Sequence, residues 1–237
     1  MSTWPGHPII VDIETAPHPC AAEFLGPLNL DAITAAKNLK DPAKIAEDIQ
    51  RRKADAAAEH AAKLDKAALD WNVSRIVAIG YSTGGDIIAK PCRTEDEERD
   101  ALASFWMDAK GRDILGYRAR TFDVPTLVQR SRLLNVPHRT PNLARFGRGS
   151  VIDLFDVLTF DDSRAELVMP RRLKTFCKRF GLVVSDDVDG KDVPALIAEG
   201  NWDAVIAHVT SDVRLTIALA QRVGVLASVE TFLAEVL

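Results

Sequence analysis

The pattern of apolar and polar positions predicts short strands and amphipathic helices along most of the chain. Residues 8–15 form an apolar run that turns acidic at its end, which is typical of a buried strand. A second apolar run at 75–82 is separated from a third at 87–92 by the turn signal Thr83-Gly84-Gly85-Asp86. Further strands are predicted at 113–118 and 151–157, and helices at 94–110, 122–135, 170–180, 193–199, 202–223 and 229–237. This order predicts an α/β fold in which helices flank a mixed β-sheet.

One segment interrupts this alternation between the first two strands. Asp41 and Pro42 are a favourable helix start, and the alanine-rich, charged sequence that follows forms helix readily while offering few large apolar side chains. We therefore expect a single domain over residues 1–237, with a helical arm inserted after the first strand at approximately residues 20–70.

The distribution of charge is more informative than the formal net charge of −4. Basic residues dominate one stretch, which contains Lys110, Arg112, Arg118, Arg120, Arg130, Arg132, Arg139, Arg145 and Arg148 against Asp113 and Asp123. A second basic group lies within residues 171–179. Basic stretches in an acidic protein are typical of nucleases, which need cations along the strand and carboxylates around metal. Solvated helix faces are the alternative interpretation.

Composition excludes several other classes of protein. No stretch approaches the roughly 20 apolar residues that a membrane helix needs, and the first residues lack the features of a signal peptide. Cys20, Cys92 and Cys177 fit no metal-ligand spacing. We expect them to be reduced thiols in a cytoplasmic protein that has no membrane partner.

Candidate chemistry begins with Asp12 and Glu14 at the end of the first strand. Alternate residues of a strand share a face, so the two carboxylates point the same way while Ile13 points opposite. Two such negative groups persist at neutral pH when a cation lies between them. Mg²⁺ and Mn²⁺, which prefer oxygen ligands, are the natural candidates.

The second half of the chain supplies further candidates. His208 and Asp212 are four residues apart on a predicted helix and therefore neighbours on one face, although a surface pair would have the same spacing. Asp123 opens another predicted helix, where acidic residues commonly interact with the helix dipole. The acidic cluster of Asp186, Asp187 and Asp189 is interpreted as a solvated loop.

Together these residues resemble the DEDD superfamily of 3′–5′ exonucleases, whose members have a ribonuclease H-like fold. The motifs are Asp12-Ile13-Glu14-Thr15, the stretch from Leu115-Gly116-Tyr117 to Phe122-Asp123, and Asp212-Val213-Arg214-Leu215-Thr216. Their spacing is most similar to that of predicted exonucleases related to the proofreading domain of family-B DNA polymerases, many of them phage-encoded. The resemblance covers residues 8–19 and 75–223, and more weakly the arm.

The resemblance implies hydrolysis of phosphodiester bonds by a two-metal-ion mechanism. Two divalent ions, Mg²⁺ or Mn²⁺, would be held by Asp12, Glu14 and Asp212, with Asp123 at the second ion. The partner would be a nucleic acid with a free 3′ end, DNA being favoured over RNA, and replication or repair proteins are candidate partners of the arm. Candidate nucleic-acid contacts are Thr15, Phe122 or Tyr117, and some of Arg118, Arg120, Arg130, Arg145 and Arg148; ordinary core packing is the alternative for the two aromatic residues.

The sequence departs from the superfamily at the general base. Members have a Tyr four residues before the last Asp or a His five residues before it, whereas His208 lies four residues before Asp212 and Ala207 occupies the other position. Either His208 serves as the base from the Tyr position, or the chain is a catalytically degenerate binding module that kept the fold. An RNA-processing exoribonuclease of the same superfamily is a further alternative.

Overall fold

The protein contains a five-stranded mixed sheet. The computed structural model describes residues 7–144, 151–160 and 171–227. The strands are β1 (Ile9–Pro17), β2 (Ser74–Ser82), β3 (Ile88–Pro91), β4 (Ile114–Gly116) and β5 (Val151–Asp153), in the spatial order β3-β2-β1-β4-β5. β1, β4 and β5 run parallel, whereas β2 and β3 form an antiparallel hairpin.

Helices of several lengths accompany the sheet along the chain. They are α1 (Ala21–Phe24), α2 (Pro42–Lys66), α3 (Glu95–Asp108), α4 (Asp123–Leu133), α5 (Leu154–Leu158), α6 (Leu173–Arg179), α7 (Val193–Ala198) and α8 (Trp202–Arg222). None of the helices within the described residues combines the length and apolar character needed to cross a membrane. The predicted mixed sheet flanked by helices is confirmed.

Alternation along β1 separates two cores. Ile9, Val11 and Ile13 belong to one buried cluster, which also contains side chains of α3 and α4. Ile10 belongs to a second cluster, together with side chains of α6 and α8. Because successive strand residues face opposite sides of a sheet, Asp12 and Glu14 share the face of Ile10. The second face of β1 therefore changes from apolar to acidic as the strand proceeds.

Two predicted strands were too long. The strand predicted at 113–118 is only Ile114–Gly116. The strand predicted at 151–157 ends at Asp153, where the chain turns directly into α5. The Asp153 carboxylate accepts a hydrogen bond from Phe155 N at 2.9 Å, and this cap starts the helix. A short, mainly apolar stretch does not reveal such an early cap. The predicted helix at 229–237 lies outside the described residues.

Residues 16–75 form a separate compact unit. Its main element is α2, which begins after the Asp41 cap and is followed by a 3₁₀ turn at Ala67–Leu69, close to the predicted helix. Buried Ala21, Ala67 and Val73 form a small core. The core is small because most α2 residues are alanine or charged, so side-chain burial contributes little there.

Candidate active site

β1 presents Asp12 and Glu14 at the acidic end of its second face. Glu14 is buried, and Asp12 keeps part of its surface accessible. The N–H of Ile13, between them, donates a hydrogen bond of 3.2 Å to Asp123 Oδ1. The backbone of β1 therefore holds the third predicted carboxylate beside the first two.

Asp123 reaches this position because it opens α4 after β4. The connection between them is tight: a Cβ at Gly116 would lie 2.7 Å from Ala119 Cβ and 2.9 Å from Val11 O. Asp153 holds the same loop by accepting hydrogen bonds from Arg118 N at 2.9 Å and Arg120 N at 3.0 Å. The site thus forms beside the middle of β1 and beyond the carboxyl ends of its parallel neighbours β4 and β5, where open α/β sheets commonly place ligands.

α8 contributes His208 and Asp212 from the other side. Val205, Val209, Val213 and Leu219 are fully buried along this helix. His208 is 1% exposed, so the surface-pair interpretation of the His208–Asp212 spacing is wrong. The helix turns both side chains toward the acidic end of β1, because residues four apart share a helix face.

Four carboxyl groups lie close together at this point, and their proximity and burial raise their pKa values. Burial raises the pKa of Asp12 well above its ordinary value, and the neighbouring carboxylates of Asp123, Asp212 and Glu14 raise it further. Burial raises the pKa of Glu14, and so do the neighbouring carboxylates of Asp212 and Asp123. The positive charge of Lys174 lowers this pKa in part. Burial raises the pKa of Asp123 to about 7. Crowded acids of this kind require either protons or a cation.

The donor set fits a divalent cation. One ligand atom each from Glu14, His208 and Asp212 lies within 4.8 Å of the others. Asp212 Oδ1 is buried and has no hydrogen-bond partner among the described residues. An unpartnered buried carboxylate oxygen is costly, and a cation would satisfy it. Carboxylate oxygens suit Mg²⁺ and Mn²⁺.

His208 has a second set of partners that the sequence did not reveal. Its Nδ1 lies 2.6 Å from Asp186 Oδ2, and its Nε2 lies 3.1 Å from Glu14 Oε1. Lys174 Nζ lies 3.0 Å from the same Asp186 oxygen and also donates to Val188 O. The interpretation of Asp186 as part of a solvated loop was therefore wrong. No motif or helical spacing links positions 22 residues apart, so only the folded chain shows this contact.

The other two acids of that loop behave differently from Asp186. Asp187 is exposed. Asp189 caps the 3₁₀ turn at Gly190–Asp192 and lies 2.8 Å from Arg172 Nη1. For Asp186, partial burial would raise the pKa, but hydrogen bonds with His208, Val188 N and Lys174 lower it below its ordinary value. Asp186 is therefore the loop acid that faces the site and ionises readily.

Comparison with known proteins identifies the family. A family model described as the RNase H superfamily matches residues 67–223, which include Asp123, Asp186, His208 and Asp212. The chain belongs to the RNase H superfamily. The ribonuclease H-like fold expected from the sequence motifs is confirmed. Asp12 and Glu14 precede the matched residues, and the sheet brings them to the others.

A solved structure supports the same fold for this RNase H superfamily member. The chain is similar to the family B DNA polymerase from the hyperthermophilic archaeon Pyrobaculum calidifontis, with a TM-score of 0.56 and 18% sequence identity over 92% of this chain. It spans 24% of that polymerase. A comparison with curated proteins gives no match. At this identity the likeness shows the fold.

Several residues predicted to contact nucleic acid have internal partners in this RNase H superfamily member. Phe122 packs against the core of α3 and α4, and Thr15 is buried. The Tyr117 hydroxyl donates to Arg171 O at 2.6 Å. These contacts favour the core-packing alternative for both aromatic residues.

The predicted arginines fall into different environments. Arg130 is 4% exposed and pairs with Glu98 through Nε–Oε1 at 2.7 Å and Nη2–Oε2 at 2.8 Å, so its prediction as a phosphate contact was wrong. Arg120 Nε lies 3.0 Å from Asp156 Oδ2, and its Nη1 donates to Ala144 O. The Arg118 guanidinium lies over the Phe155 ring, 4.5 Å from its centroid. Arg145 and Arg148 lie outside the described residues.

Proposed function

We propose that this chain is a metal-dependent 3′–5′ exonuclease that hydrolyses phosphodiester bonds of DNA from a free 3′ end. The observation that carries the proposal is the convergence of Asp12, Glu14, Asp123 and Asp212, together with a buried Asp212 oxygen that has no hydrogen-bond partner among the described residues. Membership of the RNase H superfamily supports nuclease activity in general. The polarity and the preference for DNA rest on the resemblance to exonucleases related to the proofreading domain of family-B DNA polymerases, and the fold shared with a family B DNA polymerase is compatible with them.

Each carboxylate has a distinct part in this proposal. Asp12, Glu14 and Asp212 would hold divalent ions, Mg²⁺ or Mn²⁺, and Asp123 would bind the second ion. The chemistry expected of such ions is activation of water and stabilisation of charge on the leaving 3′ oxygen. The hydrogen bond from Ile13 N to Asp123 keeps α4 against β1, so the cluster is positioned before substrate arrives.

His208 is proposed as the general base. It lies in the register where superfamily members have tyrosine, and its Nε2 faces Glu14 and Asp212. A neutral imidazole within reach of the attacking water is a competent base near neutral pH. Because His208 is buried and its Nδ1 lies 2.6 Å from Asp186 Oδ2, the ring can accept the proton at Nε2 without reorientation.

Substrate contacts are proposed for residues next to the carboxylates in the sequence. Thr15 follows Glu14 on β1, and Arg118 lies in the loop before α4, so both are close in sequence to the carboxylates. Arg120 forms an ion pair with Asp156. We propose that Arg120 supports this loop and contacts nucleic acid only through the exposed part of its side chain. DNA and RNA exonucleases share these elements, so an exoribonuclease is the alternative substrate assignment.

A catalytically degenerate binding module is the second candidate, and the His208 register is the observation that favours it. The four crowded acids argue against this alternative. Their raised pKa values mean that ionisation of the buried cluster destabilises the folded protein. A protein that only binds a partner does not require such a destabilising cluster.

The test is a gel assay with 5′-labelled single-stranded DNA, 3′-recessed duplex DNA and RNA, each with Mg²⁺, Mn²⁺ or chelator. We expect laddering from the 3′ end of DNA only with metal, and its loss in Asp12→Ala. Asp86→Ala is the matched control, because Asp86 is an exposed acid in the turn after β2. Full activity of Asp12→Ala would contradict the proposed mechanism. Absence of cleavage together with retained DNA binding would support the degenerate module, and preference for RNA would reassign the substrate.

A further inference from the structure

The carboxylate of Asp186 has three hydrogen-bond partners. Its Oδ2 lies 2.6 Å from His208 Nδ1 and 3.0 Å from Lys174 Nζ, and its Oδ1 accepts from Val188 N at 2.9 Å. Both oxygens are therefore in use, and the carboxylate cannot rotate without losing a partner. Lys174 additionally donates to Val188 O, which closes the loop onto α6. Asp186 is thus held in position by Lys174 of α6, by Val188 of its own loop and by His208 of α8.

This arrangement defines the tautomer of His208. An ionised carboxylate only accepts hydrogen bonds, so His208 Nδ1 carries the proton that is shared with Asp186. His208 Nε2 lies 3.1 Å from Glu14 Oε1 but makes no hydrogen bond to any described residue. The neutral ring therefore leaves its lone pair on Nε2, on the side of Glu14 and Asp212.

We propose that Asp186 is a positioning residue that fixes His208 in the Nδ1–H tautomer, with the Nε2 lone pair facing the carboxylate cluster, and that Lys174 holds Asp186 in place. The catalytic consequence rests on the proposed function. Carboxylates that orient an active-site histidine in this way act through ring orientation and tautomer, and their removal typically lowers activity about 10- to 100-fold.

The chemistry of the loop explains why an aspartate is required. Asparagine has one acceptor oxygen, so its NH₂ group would face either the Val188 N–H or the donors of His208 and Lys174. In both orientations a donor meets a donor. Asp186→Asn is therefore expected to impair His208 almost as much as Asp186→Ala, although it is isosteric.

The tautomer can be read directly, without any nuclease activity. Long-range ¹H–¹⁵N spectra of ¹⁵N-histidine-labelled protein, recorded with chelator at about pH 8, above the ordinary pKa of histidine, separate protonated from unprotonated ring nitrogens. We expect His208 Nε2 to be unprotonated in the wild-type protein and both tautomers to be populated in Asp186→Ala. His208→Gln assigns the signal, and the other four of the five histidines report whether the variants remain folded. A protonated Nε2 in the wild type, or an unchanged tautomer in folded Asp186→Ala, would overturn the proposal.

A double-mutant cycle then tests whether Asp186 acts through His208. We expect Asp186→Ala to lower kcat about 10- to 100-fold with little change in KM, and Asp187→Asn, the same charge change at the exposed neighbour, to have no effect. In a His208→Ala background, Asp186→Ala should cause no further loss. An additional loss there would mean that Asp186 acts independently, which overturns the positioning role. If the wild type cleaves no substrate, the proposed function fails, whereas the spectra still decide the tautomer.

Discussion

Gly80 of β2 lies directly against Val209 of α8: a Cβ at position 80 would be 2.9 Å from Val209 Cγ2, 3.0 Å from Val213 Cγ2 and 3.2 Å from Val209 O. These two valines immediately follow His208 and Asp212. The absence of a side chain at Gly80 therefore determines how closely α8 approaches the sheet, and with it the distance between the α8 residues and the carboxylates of β1.

Gly80→Ala is expected to displace α8 and weaken metal binding. The added methyl group meets backbone as well as side chains, so it cannot be accommodated by a rotamer change, and overpacking of this kind costs about 1–3 kcal/mol. Urea denaturation measures the loss of stability, and calorimetric titration with Mn²⁺ measures the affinity. Gly85→Ala is the control, since no atom of the described residues lies within 4 Å of its Cβ position. Unchanged stability and affinity in Gly80→Ala would show that α8 is not held by this contact.

Arg130→Met is expected to destabilise the protein without a specific effect on DNA. Arg130 and Glu98 form a buried two-point ion pair, and Glu98 Oε1 also accepts a hydrogen bond from Ile76 N at 3.1 Å. Removing one partner leaves a buried charge uncompensated, which typically costs about 3–5 kcal/mol. Arg132→Met, an exposed arginine of the same helix, serves as the control. Lower DNA affinity at unchanged stability would restore the original prediction that Arg130 contacts phosphate.

Asp153→Ala is expected to loosen the loop that precedes Asp123. The Asp153 carboxylate accepts from Arg118 N, Arg120 N and Phe155 N. Arg118 also has a positive φ of 60°, which a non-glycine residue adopts at some cost. Leaving buried N–H groups without partners costs about 1–3 kcal/mol. Thermal denaturation and hydrogen exchange at residues 118–120 check this expectation, and unaltered exchange in the variant would contradict it.

The stability of the metal-free protein is expected to fall as the pH rises from about 4 to about 7. Folding raises the pKa of Asp123 to about 7, from an ordinary value of about 3.9 in an unfolded chain. Between these values the unfolded state releases the proton that the folded state keeps, so the free energy of unfolding decreases with pH. The raised pKa values of Asp12 and Glu14 act in the same direction.

Thermal denaturation with chelator between about pH 5 and 8 measures this decrease. Mn²⁺ should abolish it, because a bound cation replaces the protons, and Asp123→Asn should reduce it, because asparagine does not ionise. A melting temperature that stays constant or rises over this range in chelator would show that the carboxylates are not crowded in solution.

The parts of the site that the sequence predicted well follow from the two-residue repeat of a strand and the four-residue spacing along a helix. Alternation at Asp12 and Glu14 required that both carboxylates share a face, and the four-residue spacing of His208 and Asp212 required the same on a helix. These are local consequences of backbone geometry. Element ends were less predictable, as at Asp153, because a single side-chain cap decides where a strand stops and a helix starts.

The sequence by itself therefore determined the α/β class, the motif carboxylates and the register of His208, because each depends on residues a few positions apart. Only the tertiary structure decided that Arg130 is an internal partner of Glu98 and that Asp186 faces His208. Both contacts join segments that are distant in the chain. The sequence shows that a residue is charged, but not whether its side chain is solvated or paired. For Arg130 and Glu98, burial excludes water and leaves each charge only its protein partner. For Asp186, the hydrogen bond from Lys174 to Val188 O holds the loop on α6 and so places the carboxylate beside His208.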